Sequence, residues 1–207
     1  ESIHFTKLAE EVGMDGIMIV TPYYNKPSQI GILKHFESIK NTTELPIMAY
    51  NIPGRTGTLI ELDTIEKLIK DIGIHSIKDA VGNFDFSREE LTRFKDDVFI
   101  YSGDDALTKN FIENGAVGVV SVASHLVGRQ IKEMINLLLE NKETEAEKIH
   151  QTLLPFIAAI FEEPSPGPVK YLLSESWENV GKPLLPMTDV SPELAKKLND
   201  LYTKINI

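Results

Sequence analysis

The chain contains no cysteine, and this absence excludes disulfide crosslinks, thiolate catalysis and zinc–thiolate sites. Its five histidines are scattered without HxH or HExxH spacing, so the sequence predicts no metal site. Basic residues are also scarce, because 21 Lys and Arg stand against 31 Asp and Glu, for a net charge of −10. Binding to nucleic acid or to an anionic membrane requires positive charge and is therefore not expected. A small anionic substrate stays possible, since a local site needs only one or two cationic groups.

Long hydrophobic runs are also missing. The longest, residues 153–161, is interrupted by Pro155 and is too short to cross a bilayer. With no signal peptide visible and no cysteine, we expect a cytoplasmic protein. The composition is that of a globular protein, with 42% hydrophobic and 25% charged residues. Apolar residues already recur at helical spacing over 3–12, with Gly13 placed to end a helix, so we expect further residues upstream of Glu1.

Short apolar runs alternate with segments of helical spacing through the first part of the chain. Runs that are apolar on consecutive positions are typical of strands covered on both faces, as in a parallel sheet. Their centres lie about 20 to 30 residues apart, the length of one strand with its crossover helix. The predicted strands are residues 16–21, 46–51, 74–78, 98–102 and 117–122, and the helices between them include 31–40 and 62–70.

This alternation predicts an α/β fold, either a (β/α)8 barrel or a doubly wound sheet. No GxGxxG follows a strand, so dinucleotide binding has no support. Polar and aromatic residues crowd the predicted carboxyl ends of the strands, which is typical of barrel enzymes. We therefore predict a TIM barrel. Since five strands cannot close eight, either about three βα units lie upstream or the chain is an open, noncatalytic remnant.

Beyond residue 128 the pattern changes to helices alone, punctuated by proline-rich turns at 163–168 and 182–186. We predict two parts: residues 1–128 with five βα units, and residues 129–207 with the last barrel helix and a C-terminal helical appendage. The predicted helices of this second part are residues 130–140, 142–161, 169–178 and 191–205.

Lys78 and Tyr50 are the first candidates for chemistry. Lys78 ends an apolar strand, where burial would lower its pKa and supply the neutral amine that attacks a ketone. Tyr50 ends the preceding strand. If the two strands are neighbours, its phenol, a possible proton carrier, lies beside Lys78 at the carboxyl end of the sheet. The alternatives are a lysine that extends to solvent from a strand terminus and a tyrosine that belongs to the core.

Two loops add further candidates. Arg55 lies in a tight loop with Pro53 and two glycines, where a guanidinium can bind a carboxylate through two hydrogen bonds or simply form a loop salt bridge. Asp104 and Asp105 follow Gly103 and could suggest a magnesium site, but capping of the next helix is the better interpretation.

Four motifs in this order and spacing resemble those of the dihydrodipicolinate synthase family, within the Schiff-base pyruvate lyases. The resemblance extends over essentially the whole chain. The motifs are VTPYYNKP at 20–27, YNIPGRTG at 50–57, IKDAVGN at 77–83 and SGDD at 102–105.

The resemblance implies a Schiff-base reaction without a separate cofactor. Pyruvate would condense with Lys78, and the resulting enamine would attack the aldehyde of aspartate semialdehyde. Tyr50 would transfer protons, and Tyr24 would match a relay tyrosine that enters from a neighbouring subunit. A homo-oligomer, either a dimer or a tetramer, is therefore implied.

The resemblance also implies the substrate contacts. Arg55 would bind the carboxylate of the semialdehyde and support the tyrosine relay. Gly103 and Val120 match positions whose backbone lines the pyruvate pocket.

The chain departs from the family pattern in two ways. Asp79 and Val81 stand where the family commonly has Glu and Thr or Ser. The GTTGE-type loop, which supplies a threonine between the two tyrosines and amides for the pyruvate carboxylate, is not in this sequence. Lys78, Tyr50 and Tyr24 are present, but the relay is not complete in this chain.

Other functions compete with the synthase. N-acetylneuraminate lyase and the 2-keto-3-deoxy sugar-acid aldolases belong to the same superfamily, and Arg55 favours the synthase because sialate lyases usually carry an apolar residue there. A truncated, noncatalytic paralogue is the alternative from another class. The candidate residues would drift in such a protein, yet Lys78, Tyr50 and Arg55 are all present.

Overall fold

The sheet is parallel throughout and its strands follow one another in chain order. The computed structural model describes residues 1–205, and within them each strand pairs with the next one along the chain. This confirms the predicted α/β alternation and the parallel sheet. The strands are β1 (Ile17–Val20), β2 (Ile47–Asn51), β3 (Ser76–Asp79), β4 (Phe99–Ser102) and β5 (Gly118–Val119).

Helices connect successive strands. The predicted helix at 62–70 is formed by α4 (Leu62–Lys67) and, directly after it, a π-helical turn at Leu68–Ile72 that is followed by Gly73, whose φ of +75° favours glycine. The helices up to β5 are α1 (Ser2–Glu11), α2 (Gln29–Lys40), α3 (Pro53–Thr56), α4 (Leu62–Lys67), α5 (Phe84–Phe94) and α6 (Thr108–Glu113).

The alternation of side chains along the strands separates a core face from a site face. Ala49, Ile77 and Ile100 are register partners on neighbouring strands and are almost fully buried. Successive residues of a strand point to opposite faces, so the residues that follow them, Tyr50 and Lys78 among them, share the other face. The buried face carries the apolar core, and the opposite face carries Tyr50 and Lys78 near the carboxyl ends of the strands.

The fifth strand is shorter than predicted. Residues 117–122 were expected to be extended, but β5 has two residues and, among the described strands, pairs only with β4. The backbone N–H of Val120 donates to Ser102 O at 2.8 Å and carries the pairing one step further.

The contacts within the chain divide it into two compact units, Glu1–Val120 and Ser121–Ile207. The predicted boundary lies later, at residue 128, because the sequence pattern places the start of the next helix at 130 and the structure places it at Ser124. The assignment of the two parts as separate domains stays a prediction.

The second unit is helical, as predicted. Helix α8 (Glu143–Ile160) contacts both α7 (Ser124–Leu139) and α10 (Pro192–Ile205), and Leu153, Phe156 and Leu198 are among the residues buried in this unit. Of the helices formed by residues 1–205, none is both long and apolar enough to cross a membrane. The helices are α7 (Ser124–Leu139), α8 (Glu143–Ile160), α9 (Gly167–Ser176) and α10 (Pro192–Ile205).

Candidate active site

Lys78 lies between two tyrosines at the carboxyl end of the sheet. Its register partner on β2 is Tyr50, and its partner on β4 is Tyr101. Partners in a parallel sheet are about 5 Å apart and point to the same face, so three reactive or hydrogen-bonding groups line one surface. Tyr101 is not among the residues predicted from the sequence, although its position immediately before Ser102, near the end of a predicted strand, is a usable signal.

The side chain of Lys78 meets the ring of Tyr50. The Lys78 Nζ atom lies 4.0 Å from the centroid of that ring. Burial lowers the pKa of Lys78, the nearby Asp105 carboxylate opposes this, and the Arg55 guanidinium lowers it further. Burial raises the pKa of Tyr50, and Arg55 partly opposes that shift. Both shifts favour the neutral forms, a nucleophilic amine beside a protonated phenol.

Arg55 is held close to this pair by the loop that follows β2. Buried Asn51 fixes the loop from both sides, because its Nδ2 donates to Ile60 O and its Oδ1 accepts from Ile60 N, each at 3.0 Å. Helix α3 begins with Pro53 and ends at Gly57, whose φ is +76°. The Arg55 side chain is exposed, yet its charge acts on both Tyr50 and Lys78. The guanidinium is therefore available to bind a carboxylate at the carboxyl end of the sheet.

Gly103 gives the lysine its space. Gly103 directly follows β4, and its N–H donates at 2.6 Å to the carbonyl oxygen of Asp79, the last residue of β3. A Cβ atom at this position would lie 2.8 Å from Ala80 Cβ, 2.9 Å from Asp79 O and 3.0 Å from Lys78 Cε. Only glycine fits at this distance without displacing backbone, so the residue type is explained by the approach of Lys78.

Asp104 caps the turn before α6. Its Oδ1 accepts from the backbone N–H of Ala106 at 2.9 Å and of Leu107 at 3.3 Å. These bonds close the turn that precedes α6, whereas the N-cap of α6 itself is Leu107 and has no side-chain capping bond, so the expected capping of the helix by Asp104 is not what the structure shows. Asp105 is buried, and its charge raises the pKa of Lys78. This electrostatic effect of Asp105 could not be predicted from the sequence, where the residue suggested only a metal site or a helix cap.

Val120 and Tyr24 complete the predicted set, with different outcomes. Val120 directly follows β5 and donates its N–H to Ser102 O, at the same carboxyl end of the sheet as Gly103. Tyr24 belongs to the loop after β1, has a φ of +67° and is 90% exposed. The same loop approaches the Arg55 loop, since a Cβ atom on Gly57 would lie 2.9 Å from Lys26 Cε. The chain thus brings the Tyr24 loop to the site edge without burying the ring.

Comparison with known proteins decides the family. The chain matches the Dihydrodipicolinate synthetase family over residues 1–205. The chain belongs to this family. Among curated relatives, it is 44% identical to 4-hydroxy-tetrahydrodipicolinate synthase 1 of Halalkalibacterium halodurans over 197 residues, which are 95% of this chain and 67% of that protein.

Solved structures of the dihydrodipicolinate synthetase family superpose closely. The dihydrodipicolinate synthase of Bacillus anthracis is 41% identical with a TM-score of 0.93, over 97% of this chain and 69% of the other. A dihydrodipicolinate synthase of Acinetobacter baumannii, described as complexed with pyruvate, is 31% identical with a TM-score of 0.94, over 99% and 70%. The likeness confirms a fold of the TIM-barrel α/β type. The chain spans roughly two thirds of the length of these relatives.

Proposed function

We propose that this protein is a lyase that condenses pyruvate with L-aspartate 4-semialdehyde to form 4-hydroxy-tetrahydrodipicolinate, a step of lysine and diaminopimelate biosynthesis. The observation that carries the proposal is the contact between Lys78 and Tyr50, a half-buried amine of lowered pKa beside a half-buried tyrosine of raised pKa. Membership of the family and the pyruvate-bound relative support it.

The chemistry begins with the neutral amine of Lys78. It attacks the C2 carbonyl of pyruvate to give a carbinolamine, which loses water and forms an imine. Loss of a C3 proton turns the imine into an enamine, whose C3 attacks the aldehyde of the semialdehyde. Tyr50 carries protons to and from the reacting oxygens. The amino group of the semialdehyde then attacks the imine carbon, closes the ring and releases Lys78. The imine formed on Lys78 accepts the electron pair left by the C3 proton, so the proposed reaction needs no cofactor or metal.

The other candidate residues have roles in binding. Arg55 would hold the carboxylate of the semialdehyde through paired hydrogen bonds, for which a guanidinium is well suited. The backbone at Gly103 and Val120 would line the pyruvate pocket, where the missing side chain of Gly103 leaves room beside Lys78. Tyr24 would reach a neighbouring copy of the chain in a homo-oligomer, which gives its exposed ring a partner.

The finer description of the fold also remains a proposal. Closure of an eight-stranded barrel needs three strands more than the five described. Phe5 on α1 and Met18 on β1 are exposed, as expected of an edge that further βα units would cover.

A substrate panel tests the assignment. The protein should consume pyruvate and aspartate semialdehyde together and should not cleave N-acetylneuraminate or 2-keto-3-deoxy sugar acids. Arg55→Ala should lower kcat/KM for the semialdehyde by about 30- to 150-fold, because a charge-assisted pair of bonds is worth on the order of 2–3 kcal/mol. Formation of the pyruvate adduct should be largely kept. Equal turnover of N-acetylneuraminate would support the lyase alternative, and no turnover of any of these substrates would support a noncatalytic paralogue.

A further inference from the structure

Two carboxyl groups are buried directly behind the lysine. Asp79 is the last residue of β3 and follows Lys78, and Glu90 lies on α5; both are 0% exposed. Glu90 belongs to the buried stripe of α5 with Leu91 and Phe94, a position that normally holds an apolar residue. From the sequence, Asp79 stood out only as a departure from the family pattern, and Glu90 was not among the candidate residues.

These carboxyl groups have few other partners. Asp79 Oδ1 accepts from the N–H of Val81 at 2.8 Å. Among residues 1–205, neither Asp79 Oδ2 nor either oxygen of Glu90 accepts a hydrogen bond from an N–H group or a hydroxyl. No ion pair with a basic side chain is formed by either residue in this part of the chain. Two ionised carboxylates in this setting would be very unfavourable, because burial without a cation opposes each charge and each charge opposes the other.

A proton on one of the two groups removes this conflict. Burial raises the pKa of Glu90 well above its ordinary value, and the charge of Asp79 and a hydrogen bond to Asp79 add to the effect. Burial also raises the pKa of Asp79, with a smaller contribution from Asp104, while the Ser87 hydroxyl, the Val81 N–H and the hydrogen bond from Glu90 lower it. Both shifts favour the protonated form and the shift is larger for Glu90, so a single proton held between the two buried groups would satisfy oxygens that otherwise have no donor.

We propose that Glu90 and Asp79 share one proton in a hydrogen bond that fastens α5 to the carboxyl end of β3, and that the pair thereby positions Lys78. The backbone of Asp79 adds a second tie, since its carbonyl accepts from Gly103 N–H at 2.6 Å. Asp79 thus connects the ends of β3 and β4 with α5. Lys78 is the residue before Asp79 on the opposite face of the same strand end, so fixing the backbone at Asp79 would also fix the position from which the Lys78 side chain extends.

The pair makes stability depend on pH in a defined direction. A carboxyl group whose pKa is higher in the folded state binds more protons when folded, so the free energy of unfolding falls as the pH rises above the pKa in the unfolded chain. Glu90→Gln keeps the hydrogen bond through an amide N–H that cannot ionise. The variant should therefore gain stability relative to wild type as the pH increases from 5 to 9, and the two should converge at the acid end.

Thermal unfolding across this pH range tests the shared proton. The matched control is Glu89→Gln, which removes an exposed carboxylate one residue away and should leave the pH slope unchanged. In infrared difference spectra at pH 7, the carbonyl band of a protonated carboxylic acid should be present in wild type and in Glu89→Gln and absent in Glu90→Gln. Parallel stability curves for wild type and Glu90→Gln, or no such band in wild type, would overturn the proposal.

A second measurement tests the positioning of Lys78 and, unlike the first, rests on the proposed function. Glu90→Ala leaves Asp79 without its donor, so borohydride trapping of pyruvate on Lys78 should slow about ten-fold, because small displacements of a reacting group are costly. Glu90→Gln should trap pyruvate within about three-fold of wild type, since it restores the donor. Equal trapping rates for Glu90→Ala and wild type would show that the pair does not position Lys78. Absence of trapping in wild type would reject the proposed function, while the stability measurement would still decide on the proton.

Discussion

The Lys78 Nζ atom lies 4.0 Å from the centroid of the Tyr50 ring, across the boundary between β2 and β3. The face of a phenol ring attracts a cation, whereas burial disfavours one, and burial lowers the pKa of this lysine. The ring also shields the amine from water on one side. Tyr50 and Lys78 are register partners, so the proposed proton carrier and the proposed nucleophile lie on adjacent strands at the same level of the sheet.

Covalent trapping is the most direct test of Lys78. Borohydride reduction with pyruvate present should add one reduced pyruvyl group to Lys78, and Lys78→Ala should abolish the addition, because only a neutral amine beside the substrate forms the imine. Intact-protein and peptide mass spectrometry would locate the label. The control is Lys70→Ala, which removes an exposed, ion-paired lysine and should label like wild type. A label that persists in Lys78→Ala would contradict the assignment.

The pH dependence of adduct formation should respond to Arg55. The neutral fraction of Lys78 increases as the pH rises through its pKa, and the positive charge of Arg55 lowers that pKa. Arg55→Ala removes the charge, so the pKa of Lys78 should rise and the acid limb of the trapping rate should move to higher pH. Arg55→Lys keeps the charge and should leave the limb close to that of wild type.

Ionic strength adds an internal check on this effect. Arg55 is exposed, so salt should screen its charge and reduce the difference between wild type and Arg55→Ala. A limb that moves to lower pH in Arg55→Ala would show that the charge does not act on Lys78 in the expected direction.

Gly103→Ala should disturb both stability and chemistry. The added methyl group would lie within 3.0 Å of Asp79 O and Lys78 Cε, and a backbone carbonyl cannot easily move away. We expect a loss of about 1–3 kcal/mol in the free energy of unfolding, as for other overpacked sites, together with slower pyruvate trapping. Denaturant unfolding measures the first effect. Gly54→Ala is the control, because nothing lies within 4 Å of its Cβ position. Equal losses at both positions would mean that the space beside Lys78 is not limiting.

Tyr24 tests the shared site and the oligomer together. Tyr24→Phe keeps the ring and should preserve the dimer, but turnover should fall by about 10²-fold or more through loss of a proton relay. Replacement of both Tyr23 and Tyr24 by alanine should weaken the dimer as well, since exposed aromatic rings at an interface supply contact area. Sedimentation velocity and steady-state rates measure the two effects. An active monomer with wild-type turnover in Tyr24→Phe would exclude both roles.

Several elements could be predicted from the sequence because they depend on short-range patterns. Consecutive apolar residues identified all five strands, and the period of apolar residues identified the helices of the second unit, including α8 and α10. Pro53 and Gly57 mark the tight loop of Arg55 through their own backbone preferences. The resemblance of four motifs identified the family, because each motif combines several uncommon residue types at fixed spacing.

Only the tertiary structure decided the groups that depend on pairing between distant segments. The register sets Tyr101 beside Lys78, and no local pattern specifies which residues of two strands face each other. Glu90 and Asp79 are eleven positions apart in the sequence, and each is unremarkable until a helix and a strand bury both. Burial acts through the whole surrounding structure and raises the pKa of both carboxyl groups, while Arg55 acts on Lys78 through space. Sequence thus determines which residue types are available, and packing determines their charge state, because desolvation depends on every neighbour at once.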